Sequence, residues 1–199
     1  MRTPTILFLS LSSHWLVGQV AAGPVVSTYL AQTESSAIAL EKAKEYLVQN
    51  VLAVDETAVA FVLDPLHSST TGDLTTLVYE CEARQISGLI LAFFGNYWNE
   101  AGVVYKGYGF KRLEVVKANE FLKKVKDEFA MHEEFLRADG DHNHIAFSYE
   151  DIKVVMWVES GQSAAPYRLR LFWNGFDALW YQNAHEKTSK RLMKALGAK

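Results

Sequence analysis

Tyr167-Arg168-Leu169-Arg170-Leu171-Phe172-Trp173-Asn174-Gly175-Phe176-Asp177-Ala178-Leu179-Trp180-Tyr181 carries the strongest fold signal in the chain. Tyr167, Leu169, Leu171 and Trp173 alternate with Arg168 and Arg170, the two-residue period of a strand with one buried face. Asn174-Gly175 supplies both residues of positive φ that a type I′ turn requires. The stretch therefore reads as a β-hairpin that pairs Tyr167–Trp173 with Phe176–Tyr181. A competing reading starts the last helix at Asp177 as its N-cap.

Working outward, strand patterns come in consecutive runs. His144 to Tyr149 and Ile152 to Val158 precede the hairpin, separated by Glu150-Asp151, with Gly161 to Pro166 as a loop. An earlier run reads as Thr57 to Leu63, Leu74 to Glu82, Ser87 to Phe94 and Val103 to Leu113. Pro65 and Ser68 to Asp73 form a loop there, Ala83-Arg84-Gln85 a short turn, and Gly95-Asn96 an end. Gly107 and Gly109 weaken the interior of the last of these strands and mark a bulge or a close backbone approach.

Three helices frame the runs. Ser27 to Asn50 has apolar positions at three- and four-residue spacing. Val115 to Arg137 is the clearest element: Val115, Ala118, Leu122, Val125, Phe129 and Leu136 make one stripe, widened by Phe121, and Lys123, Lys124 and Lys126 face away. Asn183 with Glu186 resembles a capping box for a final helix that ends near Gly197. The order helix, four strands, helix, three or four strands, helix favours antiparallel meanders over crossovers. The fold class expected is α+β in a single domain, residues 23–199. The two runs have comparable lengths, but their side chains match too poorly to define a repeat.

Composition narrows the function. A chain of 199 residues that is 49% hydrophobic and has a net charge of −3 can bury a core, and it is neither disordered nor a natural phosphate binder. No nucleic-acid partner is expected. Lys123-Lys124-Lys126 and the lysines from Lys187 to Lys199 read as solvated helix faces and ends. No apolar run after residue 22 approaches the ~20 residues of a membrane span. Cys81 is the only cysteine, so an intramolecular disulfide is impossible, and its apolar alternating surroundings make it a buried small hydrophobe.

The first residues suggest a destination. Arg2, the apolar run from Ile6 to Val17, and Val20-Ala21-Ala22-Gly23 have the layout of a cleavable export signal, with Ser10, Ser12, Ser13 and His14 interrupting it. The expectation is an exported protein, periplasmic or secreted, cleaved after Ala22. The alternative is a cytoplasmic protein whose N-terminal segment is buried.

Asn96, Tyr97, Trp98, Asn99 and Glu100, then Tyr105 and Tyr108, gather amphipathic aromatics in and beside one loop. Tyr97, Trp98, Tyr105 and Tyr108 are accordingly candidate partner-binding residues, because such rings anchor interfaces and stack on peptides and sugars. The other reading has Trp98 capping the sheet edge. Asp64, His67 and Ser68 contain the residue types of a catalytic triad, but within one short stretch, where a triad needs separate elements.

Asp139-Gly140-Asp141-His142-Asn143-His144 through Glu150 places oxygens at loop positions one, three, five and twelve after a helix. It resembles the calcium loop of EF-hand proteins, which implies Asp139, Asp141, Asn143 and Glu150 as ligands. His144 stands where the sharp turn needs glycine, however, and the exit reads as strand. The favoured reading is a structural helix-to-strand turn. His142 and His144, two apart, are a candidate metal pair with His132 or an acidic neighbour.

No nucleophile elbow, zincin helix or dinucleotide loop is present, and no cofactor is implied. The expected function is a non-enzymatic module that binds another protein or a peptide. One alternative is a small hydrolase using His67 with Asp64. The other is a cytosolic regulator or secretion-chaperone-like protein, whose usual element order is similar to this one.

Overall fold

A computed structural model describes residues 24–98, 104–140, 142–159 and 166–197; the side chains of 24–34, 97, 98 and 105 also lie outside the described set. The elements are α1 (Pro24–Asn50), β1 (Val62–Ser68), β2 (Leu74–Cys81), β3 (Ile86–Trp98), β4 (Val104–Glu114), α2 (Val115–Ala138), β5 (His144–Tyr149), β6 (Ile152–Val158), β7 (Tyr167–Trp173), β8 (Phe176–Tyr181) and α3 (Gln182–Leu196). They form two four-stranded antiparallel meanders, β1-β2-β3-β4 and β5-β6-β7-β8, each followed by a helix. The α+β class and the meander topology hold.

The first sheet is the middle layer. Leu77, Tyr79, Cys81, Ile90 and Ala92 face α1, where they meet Ala39, Ala43 and Leu47. Leu74, Val78, Leu89, Leu91 and Phe93 face the opposite way into a larger core shared with α2, α3 and the second sheet. Alternation along β2 and β3 thus feeds both cores. The stripe read on α2 is the buried one: Ala118, Phe121, Leu122, Val125 and Leu136 are buried and Phe129 half-buried.

The Asn174-Gly175 hairpin forms as read, with φ of 46° and 79° and Trp173 paired to Phe176. The helical alternative from Asp177 does not occur. Gly109 marks a close approach rather than a bulge: a Cβ there would sit 2.6 Å from the Phe176 ring. That ring also meets Phe93 at 6.5 Å, which joins the two sheets across the large core.

Four readings of the first run and the last helix need correction. The first strand is Val62–Ser68 rather than Thr57 to Leu63, because the Asp55 carboxylate accepts the Thr57 N–H at 2.7 Å and holds 55–57 as a turn. Pro65, read as loop, sits in β1; β1 is an edge strand, where proline costs no ladder hydrogen bond, and a bulge follows between Pro65 and His67. Gly95-Asn96 does not end β3, because Gly95 pairs with Gly107 and the ladder continues to Trp98 and Val104. Finally, α3 begins at Gln182 directly after β8 without a side-chain cap. Gln182 Nε2 reaches Glu186 at 2.7 Å, so the Asn183–Glu186 capping box does not form.

Candidate binding groove

A concavity lies between α2 and α3, a groove of about 720 Å³. Helical spacing creates it. On α3, Ala184, His185, Thr188 and Leu192 are buried in the core, and the adjoining face presents Gln182, Glu186, Ser189, Lys190 and Met193 to the groove. On α2, the strip from Asn119 through Lys123 and Lys126 to Ala130 supplies the other wall. At 1.5 Å per residue that strip runs about 16 Å. Leu122, Phe129 and Tyr167 provide apolar lining, and Met193, 58% exposed, forms part of the rim.

A buried polar clamp sets the floor. The Tyr167 hydroxyl lies 2.8 Å from His185 Nδ1, and His185 Nε2 lies 3.0 Å from the Leu122 carbonyl oxygen. A carbonyl only accepts, so Nε2 carries the proton and Nδ1 accepts from the tyrosine. Burial pushes the His185 pKa down and the Tyr167 pKa up, so both stay neutral near pH 7. Trp180 packs edge-on against the imidazole at 5.3 Å. One side chain thereby ties α3 to α2 and to β7, and both its nitrogens are used.

The rim is basic. Lys123 pairs with Asp127, one turn further along α2. Lys126 and Lys190 form no ion pair among the described residues. The one acidic lining residue, Glu186, accepts from Gln182. The groove therefore combines an apolar interior with an excess of positive charge, Lys123, Lys126 and Lys190 against Glu186, a combination suited to an anionic amphipathic guest.

The aromatic segment singled out from sequence lies elsewhere. Tyr108 is half-buried in a row of rings on β3, β4 and α1: Phe94 is 4.8 Å from Tyr108, Phe110 5.9 Å from Tyr108, and Tyr46 5.1 Å from Phe110. Lys106 sits over the Phe94 ring at 5.1 Å. The backbones of Tyr97 and Tyr105 pair across β3 and β4, but the side chains of Tyr97, Trp98 and Tyr105 lie outside the described residues, as do Asn99 and Glu100.

The loop similar to an EF-hand has its ends pulled apart. Glu150 lies at the far end of β5 from Asn143, and its carboxylate binds Lys111 at 3.0 Å and Lys117 at 2.6 Å. The two ammonium groups hold its pKa below the usual range. The Asp139 carbonyl accepts the His142 and Asn143 amides, and Asn143 Nδ2 donates to the Phe135 carbonyl at 2.6 Å. Asp141 lies outside the described residues. His142 Nδ1 contacts Asp139, His144 Nδ1 bonds the His142 carbonyl with its ring tilted against Trp157, and His132 bonds the Glu128 carbonyl, so the three imidazoles do not converge on one point. Among the described residues no group of three or more His, Cys, Asp or Glu converges for a metal.

Asp64, His67 and Ser68 do not assemble a relay. The Ser68 hydroxyl bonds Ser36 at 2.6 Å and Thr75 at 2.7 Å, sealing α1 to β1 and β2. His67, half-buried beside Lys187 and Arg191 of α3, has its pKa pushed down to about 4, chiefly by burial and then by those two cations. Cys81 is buried as expected. No described helix is long and apolar enough to cross a membrane. No protein-family model, curated protein or solved structure matches the chain.

The groove escaped sequence reading. Its walls come from polar faces of two helices about 60 residues apart, and each face alone looks like an ordinary solvated surface. The available signal was Met193, an apolar residue on a largely polar helix, 58% exposed in the fold.

Proposed function

We propose that the protein is a non-enzymatic peptide-binding module that holds a short acidic, amphipathic segment of a partner in the α2–α3 groove. The observation that carries this reading is the net positive rim, with Lys126 and Lys190 outside any ion pair among the described residues, around an apolar groove of about 720 Å³. A guest helix of about three turns matches the ~16 Å wall, with apolar side chains directed at Phe129 and Met193 and carboxylates at the lysines. Methionine suits such a lip because its unbranched chain adapts to varied guests. The His185 clamp supports binding over catalysis: it pre-organises the floor and leaves neither imidazole nitrogen free. The export-signal layout adds the proposal that binding occurs outside the cytoplasm, on a chain cleaved after Ala22, which intact-mass analysis from an exporting host would check.

The test is fluorescence anisotropy with two labelled synthetic helices that share one leucine face and carry either Glu or Lys on the other. The Glu peptide should bind saturably, and Lys126→Glu with Lys190→Glu should weaken it by about tenfold or more. Equal binding of both peptides, or an unchanged affinity in the double variant, would refute the assignment.

A further inference from the structure

The two ends of the α2–α3 groove are unlike, because the helices that wall it run in opposite directions. Tyr167 marks one end: its ring lies 4.7 Å from that of Phe129, and its backbone N–H donates to Gln182 Oε1 at 3.2 Å. One turn further along α3, His185 bonds the carbonyl of Leu122, which lies about two turns back along α2 from Phe129. Residue numbers therefore rise along α3 as they fall along α2, and Ser189, Lys190 and Met193 lie toward Asn119. The walls Asn119 to Ala130 and Gln182 to Met193 have the same length, about 16 Å.

Charge is spread unevenly between those ends. At the Tyr167 end, Phe129, Ala130, Tyr167 and Gln182 line the groove without a charged group. Arg137, whose guanidinium lies 5.6 Å from the Phe129 ring centre, is paired with Glu133. In the middle, Lys126 and Glu186 flank His185 and act on it with opposite sign. At the Asn119 end, Lys123 and Lys190 stand on facing walls, and the exposed Lys194 follows Lys190 one turn further along α3. Lys123 pairs with Asp127, but neither Lys190 nor Lys194 forms an ion pair among the described residues. Glu120, the acid next to Asn119, is turned to β5, where it accepts from the Tyr149 hydroxyl at 2.8 Å.

We infer, on the reading of the groove as a peptide site, that the guest docks in one orientation, with its carboxylates at the Lys123–Lys190 end and its apolar side chains at the Phe129–Tyr167 end. A helix of three turns spans both ends, so each half of the guest meets a different surface. Reversal would carry the carboxylates onto the aromatic lining, where they would lose water without gaining a cation. Acids spread evenly along the guest would set some of them against that lining and against Glu186. The partner segment is therefore one whose acidic residues are grouped at one end. Within the groove, Lys190 sets this polarity more than Lys126, whose charge Glu186 offsets.

The test uses the full chain and a labelled leucine–alanine helix of about three turns with its glutamates confined to the first turn, where they also stabilise the helix. In anisotropy titrations Lys190→Glu should weaken binding by about tenfold or more, and Lys126→Glu by about threefold or less. A nitroxide at the peptide's acidic end should broaden the amide signals of Ser189, Lys190 and Met193. One at its other end should broaden those of Phe129, Ala130 and Gln182. Equal losses in the two variants, the reverse pattern of broadening, or broadening of both ends from either label would overturn the single orientation while leaving the peptide site standing. Absence of saturable binding to the wild type would overturn both.

Discussion

Mild acid should destabilise this fold well before its carboxylates titrate, and His67 should carry a separable share of the loss. The ring sits half-buried on β1, opposite Thr76, with Lys187 and Arg191 of α3 nearby. Burial and those cations lower its pKa from 6.5 to about 4. The folded value lies below the unfolded one, so above pH 6.5 both states are neutral and the group contributes nothing. As pH falls, the unfolded chain takes up the proton first, and stability drops until the folded state also protonates near pH 4. A shift of this size corresponds to about 3 kcal/mol, which screening at a partly exposed ring trims to about 2 kcal/mol. His185 acts in the same direction, since burial lowers its pKa as well. Glu150 and Asp151, held below their ordinary values by Lys111 and Lys117 and by Lys111 respectively, add losses only at still lower pH. Urea titrations of the wild type and His67→Gln at pH 7, 6, 5 and 4.5 would measure the difference. The variant should lose about 2 kcal/mol less than the wild type over that range. Parallel curves would refute the argument.

Leu122→Ala should cost about 2–5 kcal/mol in chemical denaturation, since it empties a buried site under the groove, whereas exposed Lys123→Ala should stay within about 0.5 kcal/mol. Gly109→Ala should lower stability by about 1–3 kcal/mol, because its Cβ would collide with the Phe176 ring at 2.6 Å; a neutral result would mean that the ring can move aside. Calorimetric titration of chelator-treated protein with calcium should show no micromolar binding, because Glu150 is held by two lysines away from Asp139 and Asn143. Saturable uptake abolished by Asp139→Ala would reverse that view.

Much of this fold was legible as local pattern. The Asn174-Gly175 turn, the identical limits of β5 to β8 and the buried stripe of α2 all follow from residue periods and backbone preferences that act over a few residues. Two slips were local, the Asp55–Thr57 turn and the Gln182–Glu186 bond; in the other two a distant partner decided the outcome. Pro65 lies in a strand because β1 is an edge, and β3 runs past Gly95 because Gly107 stands opposite it. The groove belongs wholly to this second kind. Tyr167, His185 and the Leu122 carbonyl come from β7, α3 and α2, and only their packing makes a lone histidine into a clamp and two ordinary lysines into the rim of one groove. Periodicity tells a helix which side to bury; which element it meets there, and what hollow remains between them, is set by contacts far apart in the chain.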